Sequence, residues 1–380
     1  MDLGFNEEQE MLRKSARDFL DKECPKKLVR AMEEDATGHS PDLWDKMAGL
    51  GWLGLHSPEK YGGMGFGFLD LCVLLEEQGR ALLPGPFFST VALASQAIMD
   101  GGSEAQKQDL LPKIAQGKLI MAVAWTEPTA KYDPSGIRLK AVADGDSFIL
   151  NGTKLFVHDA HVADMLLVAA RTGGTPRSAE GITLFGVDAR AAGVKAKPLV
   201  TIASDKQCEV TFRRVPVSKA HILGGPNQVG KGWPVLEKLW AKAAVAECAR
   251  MLGGAQWVLE TTVQYAKDRV QFGRPIGSFQ AIQHYCANMA TDVDGARYIT
   301  YEAAWALDKG QPATMEVARA KAWVSDAYRR VCATGHQVHG AIGFTKDHDL
   351  QLYTRRAKAA EVRFGDADHF REVVAQQLGL

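Results

Sequence analysis

One glycine-rich stretch nearly matches the loop with which many proteins bind nucleotide phosphates. Residues 225–231 place their glycines and the lysine at the spacing of a P-loop. In that loop the next residue is a serine or threonine, whose hydroxyl binds Mg²⁺. Here the next residue is Gly232, which has no hydroxyl. We therefore interpret the stretch as a connector and do not expect nucleotide hydrolysis.

Two pairs of histidines have the spacing of metal ligands. His158 and His161 form the first pair, and His336 and His339 form the second. Residues three apart share one face of a helix, so the second pair could offer two ligands to one ion. No carboxylate or other third ligand is suggested nearby. We expect packing or hydrogen bonding for these histidines, and no metal site.

The composition excludes several classes of partner. Of the 380 residues, 46% are hydrophobic and 24% charged, as in ordinary globular proteins. Lys plus Arg and Asp plus Glu number 45 each, so no net field attracts nucleic acid or an anionic membrane. Prolines interrupt the apolar stretch near residues 82–99, and no secretory signal is evident at the N-terminus. The six scattered cysteines are typical of buried free thiols in a cytoplasmic protein.

Apolar residues recur with the period of a helix at both ends of the chain. Near the N-terminus, Asn6 and Gln9 have the spacing of a capping box that begins a helix. In the last third, the pattern predicts long helices near 234–267, 279–309 and 312–338. Long helices joined by short turns most naturally form an antiparallel four-helix bundle.

The middle of the chain has the period of two that is typical of strands. Short β-rich runs occur between residues 119 and 224. Asp144-Gly145 and Asn151-Gly152 lie between such runs, and both dipeptides are strong signals of β-hairpins. We predict a small antiparallel β-barrel or sandwich here. The predicted domains are an N-terminal α-helical domain (1–118), a middle β-domain (119–228) and a C-terminal α-helical bundle (229–380).

Three stretches are specific when their order and separation are taken together. They are residues 122–128 with 151–156, then 265–273, then 337–344. In this order they resemble the acyl-CoA dehydrogenase family over essentially the whole chain. The resemblance implies an α/β/α multidomain fold and FAD as the cofactor. It also implies α,β-dehydrogenation of an acyl-CoA thioester, with electron-transfer flavoprotein as the electron acceptor.

The resemblance implies roles for single residues toward FAD. Thr126 and Phe156 match family residues at the flavin ring, and His158 stands where a threonine is expected near flavin N5. Arg269 matches the arginine that meets the pyrophosphate, with Phe272 packing beside it. In homotetrameric members this part of the bundle serves the flavin of the neighbouring subunit. The segment near the ADP half includes Gln337, Gly340 and Gly343.

The sequence departs from the family where the catalytic base is expected. The commonest base position corresponds to Phe364 and a second one to Ala243, and neither side chain can accept a proton. Glu247, about one helical turn after Ala243, is our candidate for a relocated base. Arg363 adjoins the lost position and is a candidate for contact with a substrate carboxylate.

The residues expected around a subunit's own flavin are also altered. Lys131 and Tyr132 replace the family's Gly-Ser before Asp133. Asp366 and Asp368 bring carboxylates to the loop near the adenine part, which is unfavourable beside phosphates unless they point away. The residues that serve a neighbour's flavin are intact.

This uneven pattern resembles the base-lacking partner subunit of heterotetrameric family members, in which a homologous subunit carries the base. We therefore predict one subunit of a hetero-oligomeric acyl-CoA dehydrogenase. By analogy, its substrate is a fatty or a steroid or other ring-containing acyl-CoA. Two alternatives stay open: a self-sufficient homo-oligomeric dehydrogenase that uses Glu247, and a flavin-dependent oxygenase on the same fold.

Overall fold

The structure, a computed structural model, describes residues 4–380. The α-helices within these residues are α1 (Glu7–Glu23), α2 (Lys26–Glu34), α3 (Pro41–Gly49), α4 (Phe68–Ala81), α5 (Gln96–Gly101), α6 (Glu104–Ala115), α7 (Trp233–Asp268), α8 (Gln280–Asp308), α9 (Thr314–His339), α10 (Leu350–Val362) and α11 (Ala367–Gln377). The strands are β1 (Met121–Ala124), β2 (Lys140–Asp144), β3 (Ser147–His158), β4 (Met165–Arg171), β5 (Ile182–Asp188), β6 (Val194–Leu199), β7 (Gln207–Ser218), β8 (Val270–Gln271) and β9 (Arg274–Pro275).

The helical predictions are confirmed. At the start of α1, the Gln9 backbone N–H donates to Asn6 Oδ1 at 2.8 Å, and the Asn6 N–H donates to Gln9 Oε1 at 3.1 Å. The three long segments predicted in the last third are α7, α8 and α9. Helix α9 packs against α8, α10 and α11, so the bundle closes around it.

The middle of the chain forms a seven-stranded sheet. Its order is β1-β4-β2-β3-β7-β6, with β5 paired to β4. Strand β3 pairs antiparallel with β2 and β7, and β4 pairs antiparallel with β5. The sheet is nevertheless mixed, because β1 pairs in parallel with β4. Leu150, Phe185 and Phe212 lie in its buried core.

The two turn signals have different outcomes. Asp144 pairs with Ser147 and closes the hairpin between β2 and β3, as predicted. The hairpin predicted at Asn151-Gly152 is wrong, because these residues lie inside β3 where its register with β7 shifts. Gly152 has φ +149°, and the Arg214 N–H donates to Asn151 Oδ1 at 2.8 Å. Bulges and hairpin turns demand similar backbone freedom, so the dipeptide alone does not separate them.

The chain divides into two compact units that do not follow chain order. The first unit comprises Met1–Arg30, Gly67–Leu83 and Ala241–Leu380. The second comprises Ala31–Phe66 and Pro84–Trp240. The division into three sequential domains stays a prediction.

In the first unit, two buried glutamates on α4 join neighbouring helices. Glu76 accepts hydrogen bonds from Arg297 at 2.6 Å and Tyr301 at 2.5 Å, both on α8. Glu77 accepts from Arg17 on α1 at 2.7 Å. Charged side chains this deep in a protein require such partners.

The structure shows the state of the cysteine thiols and whether any described helix could cross a membrane. All six cysteines are free; five are buried and Cys286 is half-buried. Burial raises the pKa of Cys24 to about 11 and that of Cys248 to about 12, which disfavours the reactive thiolate. Within residues 4–380, no helix combines the length and the apolar character needed to cross a bilayer.

Candidate functional site

In the second unit, the structure brings Thr126 and Phe156 together. The Leu155 N–H donates to Thr126 O at 2.9 Å. Phe156 lies at a second irregularity between β3 and β7, has φ +56° and is 50% exposed. This backbone conformation costs a non-glycine residue about 1–2 kcal/mol. The bulge turns the aromatic ring out of the sheet, where it is available to cover a flat ligand.

The first histidine pair does not form a shared site. His158 Nδ1 lies 3.9 Å from a carboxylate oxygen of Asp205. His161 Nδ1 lies 3.7 Å from Cys208 Sγ, and its Nε2 lies 2.9 Å from Thr37 O. Each ring therefore has its own partners. Across residues 4–380, no cluster of three or more His, Cys, Asp or Glu side chains could hold a metal ion.

In the first unit, the ends of α7 and α9 come together. The ring of Tyr265 stacks on His339 with centroids 4.4 Å apart. Arg269 follows α7 and is exposed, and its guanidinium makes no hydrogen bond or ion pair within residues 4–380. Phe272, in the β8–β9 hairpin, has φ +55° and is 91% exposed. An unpaired cation and an exposed aromatic ring three residues apart in sequence are suited to a phosphate-bearing, partly aromatic ligand.

The segment at the end of α9 uses its glycines in two ways. Gln337 is exposed, and Gly340 has φ +66° with nothing within 4 Å of where a Cβ would stand. Gly343 is buried, and a Cβ there would lie 3.1 Å from His336 Nδ1 and 3.2 Å from Leu350 Cδ2. Gly340 thus allows a left-handed backbone conformation beside open space, whereas Gly343 allows neighbouring side chains to pack closely.

We expect Gly343→Ala to destabilise the chain by about 1–3 kcal/mol, because the added methyl group overpacks this contact. Denaturant unfolding measures the effect. Gly49→Ala is the control, since a Cβ at Gly49 meets nothing within 4 Å. Equal free energies of unfolding for the two variants would show that the segment accommodates the added methyl group without loss of stability.

The second histidine pair is engaged in packing and hydrogen bonding, as predicted. His336 Nε2 lies 2.7 Å from Thr354 Oγ1, and its ring stacks on Phe344 at 4.2 Å. His339 Nδ1 lies 2.8 Å from Gly335 O. Burial lowers the pKa of both histidines, so the neutral rings are favoured near pH 7.

The positions expected to carry a base are closed. Phe364 is 8% exposed with φ +57°, and Ala243 is fully buried. Glu247 is 2% exposed: its Oε1 accepts from Arg363 Nη1 at 3.0 Å, and its Oε2 lies 3.4 Å from Arg250 Nη1. Both carboxylate oxygens are therefore contacted by guanidinium groups.

These charged side chains surround a very small pocket. Glu247, Arg250 and Arg363 line it together with Tyr328, and its volume is about 30 Å³. A space of that size admits no more than a few water molecules. Arg363, which the sequence analysis offers to a substrate carboxylate, contacts the carboxylate of Glu247 instead.

A buried lysine fixes the loop that carries Arg363 and Phe364. Lys321 on α9 is fully buried, and its Nζ donates to Gly365 O at 2.9 Å and Glu361 O at 3.0 Å. Further bonds reach Ala360 O at 3.2 Å and Ser325 Oγ at 2.9 Å. The lysine thus caps the C-terminal end of α10, where carbonyl oxygens attract a cation.

The acidic residues near the expected adenine site are tied to their own helix. Asp366 accepts a hydrogen bond from the His369 N–H at 2.9 Å and is the N-cap of α11. Asp368 pairs with Arg371 at 2.7 Å. These bonds offset part of the repulsion that the sequence predicts toward phosphate.

The P-loop-like stretch is a connector, as interpreted from the sequence. The Gly230 N–H donates to Thr183 Oγ1, and the Gly232 N–H donates to Ile182 O, both at 2.7 Å. These amides are bound to β5 and are not available to phosphate oxygens. The stretch leads directly into α7.

Two lysines, Lys154 and Lys321, are fully buried, and the sequence predicts no role for either. Lys154 has the strand parity of the core residue Leu150, and Lys321 lies four residues after the buried Val317 on α9. A lysine at an apolar position of a strand or helix is a signal that could have revealed both.

The fold places the chain in the class of flavin-dependent oxidoreductases. Sequence models of the acyl-CoA dehydrogenase N-terminal, middle and C-terminal domains match residues 6–118, 122–215 and 230–379. The chain belongs to the acyl-CoA dehydrogenase family, whose members use FAD to dehydrogenate acyl-CoA thioesters.

Individual proteins resemble the chain over nearly its whole length. The probable acyl-CoA dehydrogenase YngJ of Bacillus subtilis is 33% identical, covering 100% of each chain. The caffeyl-CoA reductase-Etf complex subunit CarC of Acetobacterium woodii is 31% identical, covering 98% of this chain and 99% of that one. The ChsE4-ChsE5 complex of Mycobacterium tuberculosis contains a chain with TM-score 0.90 and 29% identity, covering 100% and 99%.

Proposed function

We propose that this chain is one subunit of a hetero-oligomeric acyl-CoA dehydrogenase in which a homologous subunit supplies the catalytic base. The redox chemistry, uptake of a hydride from the β-carbon of the acyl group, is supplied by FAD when it is bound. The base removes the α-proton. This chain contributes residues that hold the cofactor, and electron-transfer flavoprotein accepts the electrons.

The observation that carries the proposal is the state of the three candidate base positions. Phe364 and Ala243 cannot accept a proton, and both are buried. Glu247 has the right chemistry, but Arg363 and Arg250 occupy its two oxygens. Proton abstraction needs an oxygen within hydrogen-bond reach of the substrate. The base therefore comes from another subunit.

The exposed residues of the first unit support a role toward a neighbour. Arg269, Phe272 and Gln337 are exposed, and the Arg269 guanidinium makes no ion pair within residues 4–380. A guanidinium binds pyrophosphate in a bidentate manner, and the open space beside Gly340 leaves the backbone accessible. The likeness to a chain of the ChsE4-ChsE5 complex supports a two-component assembly. The likeness to CarC supports an electron-transfer flavoprotein as partner.

Purification of the chain alone and after co-expression with a base-bearing homologous subunit tests this proposal. We expect little flavin absorbance from the chain alone. The co-expressed pair should elute as one hetero-oligomer with one FAD per pair and should oxidise acyl-CoA. A homo-oligomer of this chain that holds one FAD per chain and turns over by itself would contradict the proposal.

Arg269→Gln is expected to lower the FAD affinity of the assembled enzyme by about ten- to a hundredfold, the loss of one charge-assisted contact. Stability should change by less than about 0.5 kcal/mol, because the side chain is exposed and unpaired among residues 4–380. FAD titration and thermal unfolding measure the two effects. Lys267→Gln is the matched control, and equal losses of affinity in both variants would argue for a general charge effect.

One observation favours a second candidate, a self-sufficient dehydrogenase that uses Glu247. Its carboxylate lies 3.0 Å from Arg363, the residue next to Phe364, so it reaches the loop where the family's base belongs. Release of Arg363 by a bound acyl-CoA would free one oxygen. Turnover by the chain alone, lost in Glu247→Gln, is the result that would select this candidate.

A further inference from the structure

One lysine of the second unit carries its charge into the core of the sheet. Lys154, on β3, is fully buried. Its Nζ donates to Glu127 Oε1 at 2.7 Å and to Trp125 O at 3.0 Å. Removing an ammonium group from water is costly unless its partners are well placed. An apolar side chain at this position would avoid that cost but could not form these hydrogen bonds, so the charge indicates a role for the bonds themselves.

The partner carboxylate gathers backbone from a third segment. Glu127 is 6% exposed, and its Oε1 also accepts the N–H groups of Arg138 and Leu139, each at 2.9 Å. A single oxygen therefore joins the loop after β1, the start of β2 and the middle of β3. The ion pair works as a clamp on three segments, and we call these two side chains the Lys154–Glu127 clamp.

The clamp residues are close in sequence to the residues that the family resemblance assigns to the flavin. Thr126 precedes Glu127, and Phe156 follows Lys154 by two residues. The Leu155 N–H donates to Thr126 O at 2.9 Å, which ties the loop after β1 to β3 between these positions. Phe156 holds a left-handed backbone conformation that it would not keep unless its surroundings fixed it.

We propose that Lys154 and Glu127 are positioning residues of the FAD site, which set Thr126 and the ring of Phe156 in place before the cofactor binds. This inference rests on the proposed function in that the assembly binds FAD, and on the family resemblance, which assigns Thr126 and Phe156 of this chain to the flavin ring. Neither clamp residue touches the cofactor; each acts through the backbone of its neighbours.

The test uses the double variant Lys154→Met with Glu127→Gln in the full chain. Methionine retains the volume of the lysine, and the glutamine oxygen can still accept from Arg138 and Leu139, so no unpaired charge is buried. Amide hydrogen exchange of the flavin-free protein is measured first. We expect the Leu155 amide to exchange about tenfold faster, while amides between β4 and β5 keep their rates. Unchanged exchange at Leu155 would overturn the clamp.

FAD titration of the co-expressed assembly gives the second readout. The double variant should raise the FAD dissociation constant by about tenfold at nearly constant melting temperature. Lys140→Met, an exposed lysine of β2, is the control and should leave affinity and exchange unchanged. Glu127→Asp, which keeps both charges but draws the carboxylate back, should raise the constant about threefold if the double variant does not fold.

The two readouts separate this inference from the proposed function. If the wild-type assembly binds no FAD, the proposed function fails, and the exchange rate of Leu155 still decides whether the clamp orders this segment. If FAD binds the wild type and the folded variants equally, the clamp is purely structural and the inference is wrong.

Discussion

Glu247→Gln is expected to leave the kcat of the assembled enzyme nearly unchanged and to lower the stability of this chain by about 1–2 kcal/mol. Glutamine keeps the shape of the side chain and one oxygen that can accept from Arg363. It removes the negative charge, in a side chain only 2% exposed, that Arg363 and Arg250 contact. The substitution thus weakens an ion pair and leaves proton removal, assigned to the partner subunit, untouched.

Steady-state turnover of the co-expressed assembly and denaturant unfolding measure these two effects. Glu316→Gln is the control, because the pair of Glu316 with Arg319 on α9 is partly exposed and should contribute less than about 0.5 kcal/mol. A fall in kcat of about a hundredfold or more with unchanged stability would contradict the proposal. That outcome would make Glu247 the base and this chain an enzyme in its own right.

The helices could be predicted from the sequence because their signals are long and redundant. Each of α7, α8 and α9 contains many helical turns, so the apolar period survives individual exceptions. Strands β2 and β6 have much weaker signals in the sequence. Most side chains of both strands are exposed or half-buried, and a strand without a buried face has little apolar alternation to read.

The candidate site could be predicted only as far as its exposed residues. The family resemblance assigns Arg269 and Phe156 to the cofactor, and the structure shows that both residues are exposed. The sequence could not show how Glu247 is held, because Arg363 is 116 residues away and contacts Glu247 only in the folded chain. Ion pairs between distant segments leave no local pattern in a sequence.

The two fully buried lysines, Lys154 and Lys321, attach loops to the core through hydrogen bonds. Lys154 binds a carboxylate and a carbonyl, whereas the four acceptors contacted by Lys321 are three carbonyls and a hydroxyl. In both cases one ammonium group donates to more than one acceptor, including at least one backbone carbonyl at or just beyond the end of a strand or helix. Loops that must keep a fixed geometry are thereby tied to the core.

Lys321→Met is expected to destabilise the chain by about 3 kcal/mol, the largest stability effect considered for a single substitution. Methionine fills the same space but donates no hydrogen bond. The carbonyls of Ala360, Glu361 and Gly365 then lose the lysine as a donor in a buried site. Lys358→Met is the control: this lysine is 57% exposed and pairs with Glu361 at 3.0 Å, so its removal should change stability by less than about 0.5 kcal/mol.

The pH dependence of the same variant shows whether the charge itself matters. Burial lowers the pKa of Lys321 below its ordinary value of 10.5, so the unfolded chain holds this proton more tightly than the folded one. The free energy of unfolding of the wild type should therefore rise relative to Lys321→Met as the pH increases toward 10.5. A difference independent of pH would mean that packing, and not the ammonium group, accounts for the loss.

A double variant tests whether Lys321 acts through the loop that carries Arg363. Lys321 fixes Gly365 O, and Arg363, two residues earlier, contacts Glu247. Once the loop is released, the ion pair between Arg363 and Glu247 is already weakened, so Glu247→Gln removes less stability. The combined loss should therefore fall short of the sum of the single losses by about 0.5–2 kcal/mol, at most the loss caused by Glu247→Gln alone. Additive losses would place the two side chains in independent structures and would leave the position of Phe364 without the support that we assign to Lys321.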